Sequence, residues 1–409
     1  MTGNHDNLVL RELAAWYAEI SGSEAERARR TLWRDHNSFV RTRPPLYVRG
    51  IPWEEIPEVS VAACEDPVLQ PHEHWLRRML YQATVGDDHT FPPYLAVGAT
   101  LVTPPEGLWG LATHVIASPD AGGAWKNDPP IRELRDAERM VVAHHVVDEE
   151  ATARHLARVQ EAVGDELPVV VDRAPALRMW AADISSHLGY LRGIDHAMMD
   201  MLDNPEWLHG VLAFMRDGIL TAQAEAEAAG DWRLCDHENQ AMPYARELAD
   251  PGVDPTPVTR KQLWAFCAAQ ELTLVSPRMH DEFMLQYQLP ILKQFGLVAY
   301  GCCEDLTRKI DMLRQIPNLR RIAVAPRADV ARCAEQIGTD YILSYRPNPA
   351  EMVCCGFDPE HVRTVVRNAM EVSKGCHVDI TLKDIQTVEG QPERLREWVR
   401  IVRAIADEY

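Results

Sequence analysis

From about residue 165 onward, short β-branched runs alternate with longer stretches in which apolar residues recur every three or four positions. The runs "LPVVVDR" (167 to 173), "WRLCDH" (232 to 237), "GLVAYGC" (296 to 302), "RRIAVAP" (320 to 326), "DYILSYRP" (340 to 347) and "HVDITLKD" (377 to 384) predict strands. Several are continuously apolar, the pattern of strands covered on both faces. Helices are predicted over a broken region from about Ala174 to Ala229, in "VTRKQLWAFCAAQEL", in "PRMHDEFMLQYQLPILKQF" and in "PERLREWVRIVRAIADEY". In the last of these, Leu395, Trp398, Val399, Val402 and Ile405 share one helical face. Ser276 before Pro277 reads as a helix cap followed by proline at the first turn, where the missing N–H costs nothing.

Earlier in the chain, "PPLYVRG" (44 to 50) and "RMVVAHHV" (139 to 146) predict two further strands, and residues 7 to 40 predict helix. Alternating strands and helices imply an α/β fold with a parallel sheet. No Gly-x-Gly-x-x-Gly follows any strand, so the dinucleotide signature of an open doubly wound sheet is missing. The units also run on past the number an ordinary open sheet needs. The expectation is a single (β/α)8 TIM-type barrel over residues 44–409, preceded by an N-terminal helical extension over residues 1–43.

Composition narrows the partners. Of 409 residues, 46% are hydrophobic and 25% charged, which is ordinary for a chain with a sizeable core. Lys plus Arg number 42 against 61 Asp plus Glu, a net charge of -19. Such a surface repels phosphate backbones and anionic lipid heads, and no basic patch offsets it, so neither nucleic acid nor membrane is an expected partner. No apolar run approaches the roughly 18 residues of a membrane span. Nine cysteines in no regular framework point to a reducing cytoplasm with free thiols. A small-molecule substrate remains.

On a barrel, chemistry sits at the C-terminal strand ends. Those ends carry Asp236, His237, Glu238 and Asn239; Cys302, Cys303 and Glu304; Arg327; Ser344 and Arg346; and Lys383 and Asp384. A thiolate beside an imidazole or carboxylate from a neighbouring strand is a zinc-type donor set. Adjacent cysteines do not easily reach one ion together, so at most one of Cys302 and Cys303 is expected as a ligand. Cys354 and Cys355 repeat the vicinal pair away from a strand end and read as structural. Cys376 and His377 open a strand instead of closing it, and His144 and His145 read as core or loop histidines. His280 opens a helix that could lean over the site.

The order "VSPRMHDEFMLQYQLPILKQFGLVAYGCCEDL", "PNLRRIAVAP", "DYILSYRPNPAEM" and "DITLKDIQTVEGQPERLREW" resembles the C-terminal half of the uroporphyrinogen decarboxylase superfamily, over about residues 165 to 409. That resemblance implies one barrel and two branches of chemistry. The decarboxylase's Arg-Gln-Ala-Gly-Arg-Tyr segment has no match in "RTRPPLYVRG". The zinc-dependent methyltransferases place His-x-Cys at the strand after the Ser-Pro helix; here Tyr300-Gly301-Cys302 stands there, and Asp384 replaces their distant cysteine.

The resemblance implies a methyltransferase-like enzyme that moves a methyl group between a small methylated compound and a corrinoid or thiol. Its metal site would use Cys302 with His237, Glu238 or Cys303; Glu304 would be a further co-ligand or, with Asp384, a catalytic carboxylate. Tyr300, Asn239, His280, Arg346 and Lys383 would contact substrate. Zinc and a methyl-corrinoid on a partner protein are the implied cofactors, and a homodimer is the default assembly. With Tyr300 in place of histidine, a variant zinc site and a metal-free site both stay open. The alternative activity is a metal-free decarboxylase or lyase acting on a small carboxylate; a non-catalytic binding barrel is a third reading.

Overall fold

A computed structural model describes residues 2–119, 124–178 and 180–409. In chain order its strands are β1 (Leu46–Val48), β2 (Leu95–Gly98), β3 (His114–Ile116), β4 (Lys126–Asp128), β5 (Val169–Asp172), β6 (Trp264–Cys267), β7 (Leu297–Tyr300), β8 (Leu319–Val324), β9 (Ile342–Tyr345) and β10 (His377–Leu382). Six of them form one curled, wholly parallel sheet in the order β1-β10-β9-β8-β7-β6, half of a barrel wall. β2 and β5 form a separate parallel pair, and β3 and β4 an antiparallel one. The chain is therefore a mixed α/β protein whose principal sheet is parallel.

Register decides which side chains share a face, because successive residues of a strand point to opposite sides. Ala299 pairs with Arg321, Ser344 with Asp379 and Tyr47 with Thr381, which puts these residues on the inner, concave face. The outer face carries Val298, Tyr300, Ile322, Val324, Leu343 and Ile380, buried with the surrounding helices in the main core. The final helix, Glu393–Ala406, buries Leu395, Trp398, Val399, Val402 and Ile405 as its periodicity predicts. Ser276 accepts from the Met279 N–H with Pro277 in the first turn. None of the described helices is long and apolar enough to cross a membrane.

Two N-terminal helices, α1 (Thr2–Ser21) and α2 (Glu24–Asn37), occupy the predicted extension. α2 closes the N-terminal end of the sheet. Its Asn37 amide donates to the Met242 and Tyr244 carbonyls, each at 2.8 Å, and accepts from Arg321 at 3.0 Å. Arg321 of β8 pairs with Asp379 of β10 at 2.9 Å, Ser344 of β9 donates to Asp379 at 2.8 Å, and His36 of α2 lies 3.4 Å from the same carboxylate. A buried polar network thus fills the lower inner face, satisfying each charge it removes from water.

Three sequence expectations are corrected. "VTRKQLWAFCAAQEL" is not one helix: β6 runs through its centre, because Trp264–Cys267 are buried on both faces beside β7. "WRLCDH" forms a 3-10 turn at Leu234–Asp236, in which Asp236 accepts from the Arg233 N–H at 2.7 Å. "RMVVAHHV" pairs with no strand; its Val141 and Val146 are exposed, and His145 is tied instead to Asp231 at 2.7 Å.

Candidate active site

The upper inner face gathers side chains from the ends of four strands and the turn before β6. β7 ends at Tyr300, and Gly301 at φ +101° turns the chain so that Cys302 and Cys303 lie across the mouth. A Cβ on Gly301 would sit 2.7 Å from Leu306 Cδ1 and 3.1 Å from Ala323 Cβ, so only glycine fits this turn. Glu304 fixes the loop from behind. Its buried carboxylate accepts from the Cys302 N–H at 2.7 Å and the Ala269 N–H at 3.0 Å. Burial pushes the Glu304 carboxyl up, against the pull of those two N–H groups.

Opposite the thiols stands Lys383, just past the end of β10. Its Nζ donates to Cys302 Sγ at 3.2 Å and Cys303 Sγ at 3.3 Å, and lies 2.8 Å from Asp384 Oδ2. The two sulfurs are 3.6 Å apart, and Cys303 Sγ also lies 3.6 Å from Asp384 Oδ2. Asp384 sits at φ +57° beside Gly50, where an added Cβ would come within 2.9 Å of the Asp384 nitrogen. The loops after β1 and β10 are thereby locked together. From the end of β9, buried Arg346 donates to the Cys302 carbonyl at 2.8 Å, and its Nε has no hydrogen-bond partner among the described residues.

Electrostatics favours a thiolate at Cys302. The hydrogen bond from Cys303, then the Lys383 and Arg346 charges, bring its pKa down to about 5 against the opposing burial. The same contact pushes the Cys303 thiol up, with burial adding to it. The pair therefore holds one proton over neutral pH, on Cys303. Burial and Arg346 work against the Lys383 charge, yet Cys302, Asp384 and Cys303 hold its pKa above the ordinary value.

The expected site residues fall into two sets. Cys302, Cys303, Arg346, Lys383 and Asp384 converge, with Glu304 supporting their loop. Tyr300 and His280 do not join them. Tyr300 is on the outer face, where its hydroxyl donates to Gln288 Oε1 at 2.9 Å and meets His280 Nε2 at 3.0 Å; burial takes the His280 pKa down to about 3.

His237 has both ring nitrogens committed to the backbone: Nε2 to the Ala249 carbonyl at 3.0 Å and Nδ1 to the Trp264 N–H at 3.2 Å. Asn239 shapes its own turn, bonding the Ala241 N–H and the Met242 carbonyl. Glu238 lies closer to the mouth, its carboxyl raised by burial and opposed by Arg178 and Arg49.

Among the described residues, no three His, Cys, Asp or Glu side chains are grouped to hold a metal ion. The Lys383 ammonium stands beside both sulfurs.

Three residues at the mouth escaped the sequence reading. Gln240 Nε2 lies 3.8 Å from Cys302 Sγ, and its carbonyl accepts from Arg49 at 3.2 Å. Arg49 follows β1, so the strand-end rule could have found it. Arg178 reaches Asp236 at 3.1 Å and pairs with Asp172 at the end of β5, a contact no sequence spacing signals.

No protein-family model matches the chain, and no curated protein matches it.

Proposed function

We propose that the chain is a barrel enzyme of the uroporphyrinogen decarboxylase type in which a Cys302 thiolate, held by Lys383 instead of a metal, takes up a methyl group. Two segments support barrel closure. Asp88 N–H donates to the Leu46 carbonyl on the far side of β1, and Glu238 N–H reaches the Trp264 carbonyl on the free edge of β6. Arg178 then ties the end of β5 to the 234–236 turn. In the proposed barrel, β2 and β5 would close the gap between the two sheet edges.

The single observation that carries the chemistry is the 3.2 Å contact between Lys383 Nζ and Cys302 Sγ. In the half-reaction, Cys302 Sγ attacks the methyl carbon of a small methylated donor. The new S–C bond forms as the bond from carbon to its leaving atom breaks, and the electron pair departs on that atom. Lys383, no longer opposite a thiolate, supplies the leaving group with a proton. Arg346, whose Nε has no hydrogen-bond partner among the described residues, attracts an anionic part of the donor. A methyl-corrinoid on a partner protein would supply the same methyl group.

The same cations favour a second reading, a lyase acting on a small carboxylate. Arg49 opposes the Arg346 charge, and Lys383 adds a third positive group; such a cluster can stabilise charge that develops as a carboxylate is lost.

Anaerobic purification with metal analysis, followed by a limiting dose of iodomethane and peptide mapping, tests the proposal. Methylation first at Cys302, in protein without stoichiometric zinc, is the expected result. Stoichiometric zinc that disappears in Cys302→Ala overturns the metal-free site, and turnover of a carboxylate by Cys302→Ser transfers support to the lyase.

A further inference from the structure

Cys302 and Cys303 are more than a nucleophile and its neighbour. Their sulfurs are 3.6 Å apart and both face Lys383, and Cys303 is exposed at the mouth. The described residues contain no cis peptide; α-carbons across a trans peptide lie about 3.8 Å apart. A relaxed disulfide spans roughly 4.4–6.8 Å between α-carbons. A relaxed S–S bond is therefore disfavoured here, and both thiols are free in the structure.

The spacing suits one thiophilic atom shared by both sulfurs. Bonds of about 2.3 Å, the usual zinc–thiolate length, would span this gap at an angle of roughly 100°. Zinc itself needs four ligands; the nearest further donor, Asp384 Oδ2 at 3.6 Å from Cys303 Sγ, is held by Lys383 at 2.8 Å, and among the described residues no three His, Cys, Asp or Glu side chains are grouped to hold a metal ion. A centre that needs only two protein bonds and brings its own third substituent meets the constraint. We propose that Cys302 and Cys303 form a bidentate site for a monosubstituted trivalent arsenical.

Capture balances without an oxidant. The hydrated arsenical carries one organic group and two hydroxyls. Cys302 thiolate and then Cys303 form two As–S bonds as two As–O bonds break. The hydroxides leave as water, one with the Cys303 proton and one with a proton from Lys383, which is restored from solvent. Arsenic stays trivalent. The organic group extends into the mouth on the side of exposed Cys303.

The inference rests on the thiol pair and not on methyl transfer, so the two fail separately. The reduced full-length chain is titrated with phenylarsine oxide and followed by native mass spectrometry, with circular dichroism to confirm that each variant is folded. One equivalent is expected, released by dithiothreitol and retained against 2-mercaptoethanol. Cys303→Ser should weaken binding at least 100-fold while Cys302 stays open to iodoacetamide. Cys355→Ser, which breaks the other vicinal pair, should bind as the parent does. Undiminished binding by Cys303→Ser, release by the monothiol, or an adduct mapped to Cys354 and Cys355 overturns the site.

Discussion

Lys383 Nζ lies 3.2 Å from Cys302 Sγ, closer than the 3.6 Å that separates Cys302 from Cys303. The ammonium is thus the nearest charge to the reactive sulfur. Cys302, brought down to about 5 first by the Cys303 hydrogen bond and then by Lys383 and Arg346, should be fully thiolate at neutral pH. Its rate of alkylation by iodoacetamide should rise with a midpoint near about 5 and level off above it. Lys383→Met should carry that midpoint upward by about 1–3 pH units, the usual effect of losing one close opposite charge. A midpoint that stays where it was would show that the lysine does not hold the thiolate.

Glu304 acts through the backbone. Its two oxygens each accept one N–H, from Cys302 and Ala269, with no room for a donor in their place. In Glu304→Gln the amide NH₂ must face one of those N–H groups and leave it unsatisfied, at a cost of about 1–3 kcal/mol. Denaturant unfolding should register that loss. Cys302 alkylation should slow as well, because the loop that aims the sulfur is loosened. A normal unfolding curve with reduced reactivity would instead give Glu304 a direct part in the chemistry.

Gly301→Ala should be more damaging than the size of a methyl group suggests. The residue combines φ +101° with a neighbour 2.7 Å from where the Cβ would be, so strain and overlap act together. Each contributes on the order of 1–3 kcal/mol. A loss of at least about 2 kcal/mol in unfolding free energy is expected, with Cys302 no longer selectively alkylated.

Much of this arrangement was legible in the chain. Parallel strands read as apolar runs, and the rule that strand ends carry chemistry led to Cys302, Cys303, Arg346, Lys383 and Asp384, all of which converge. Tyr300 shows where that rule stops. At the last residue of a strand, alternation can point a side chain to either face, and only the register with β8 places Tyr300 outward.

β6 was hidden for a different reason. Trp264–Cys267 lie between two short turns whose residues continue a helical spacing, and only pairing with β7 makes the segment a strand. His237 looked available because a sequence shows ring nitrogens but not the carbonyl and N–H that occupy them. Lys383 facing the thiols was equally invisible, since it depends on two loops about 80 residues apart in the chain meeting at one mouth.

The lower inner face yields the strongest stability prediction. Asp379 and Arg321 are both almost fully buried, and each is the other's principal counter-charge. Against the burial that raises it, Arg321 and His36 hold the Asp379 carboxyl below the usual carboxylate range. Asp379→Ala should then cost about 3–5 kcal/mol, because it leaves the Arg321 guanidinium buried without a partner. A carboxyl with a depressed folded pKa stabilises above the ordinary carboxylate range and loses that contribution only as pH falls through the folded value.

The parent should therefore keep the full term at pH 6 and shed it only in strong acid, while the variant lacks it throughout. His36, whose pKa burial lowers, adds to the acid loss in both. Replacing the pair together, Arg321→Met with Asp379→Leu, should recover much of the deficit by removing both desolvated charges. If the double variant is no more stable than Asp379→Ala in urea unfolding, the network positions α2 against the sheet through its hydrogen bonds and not merely through balanced charge.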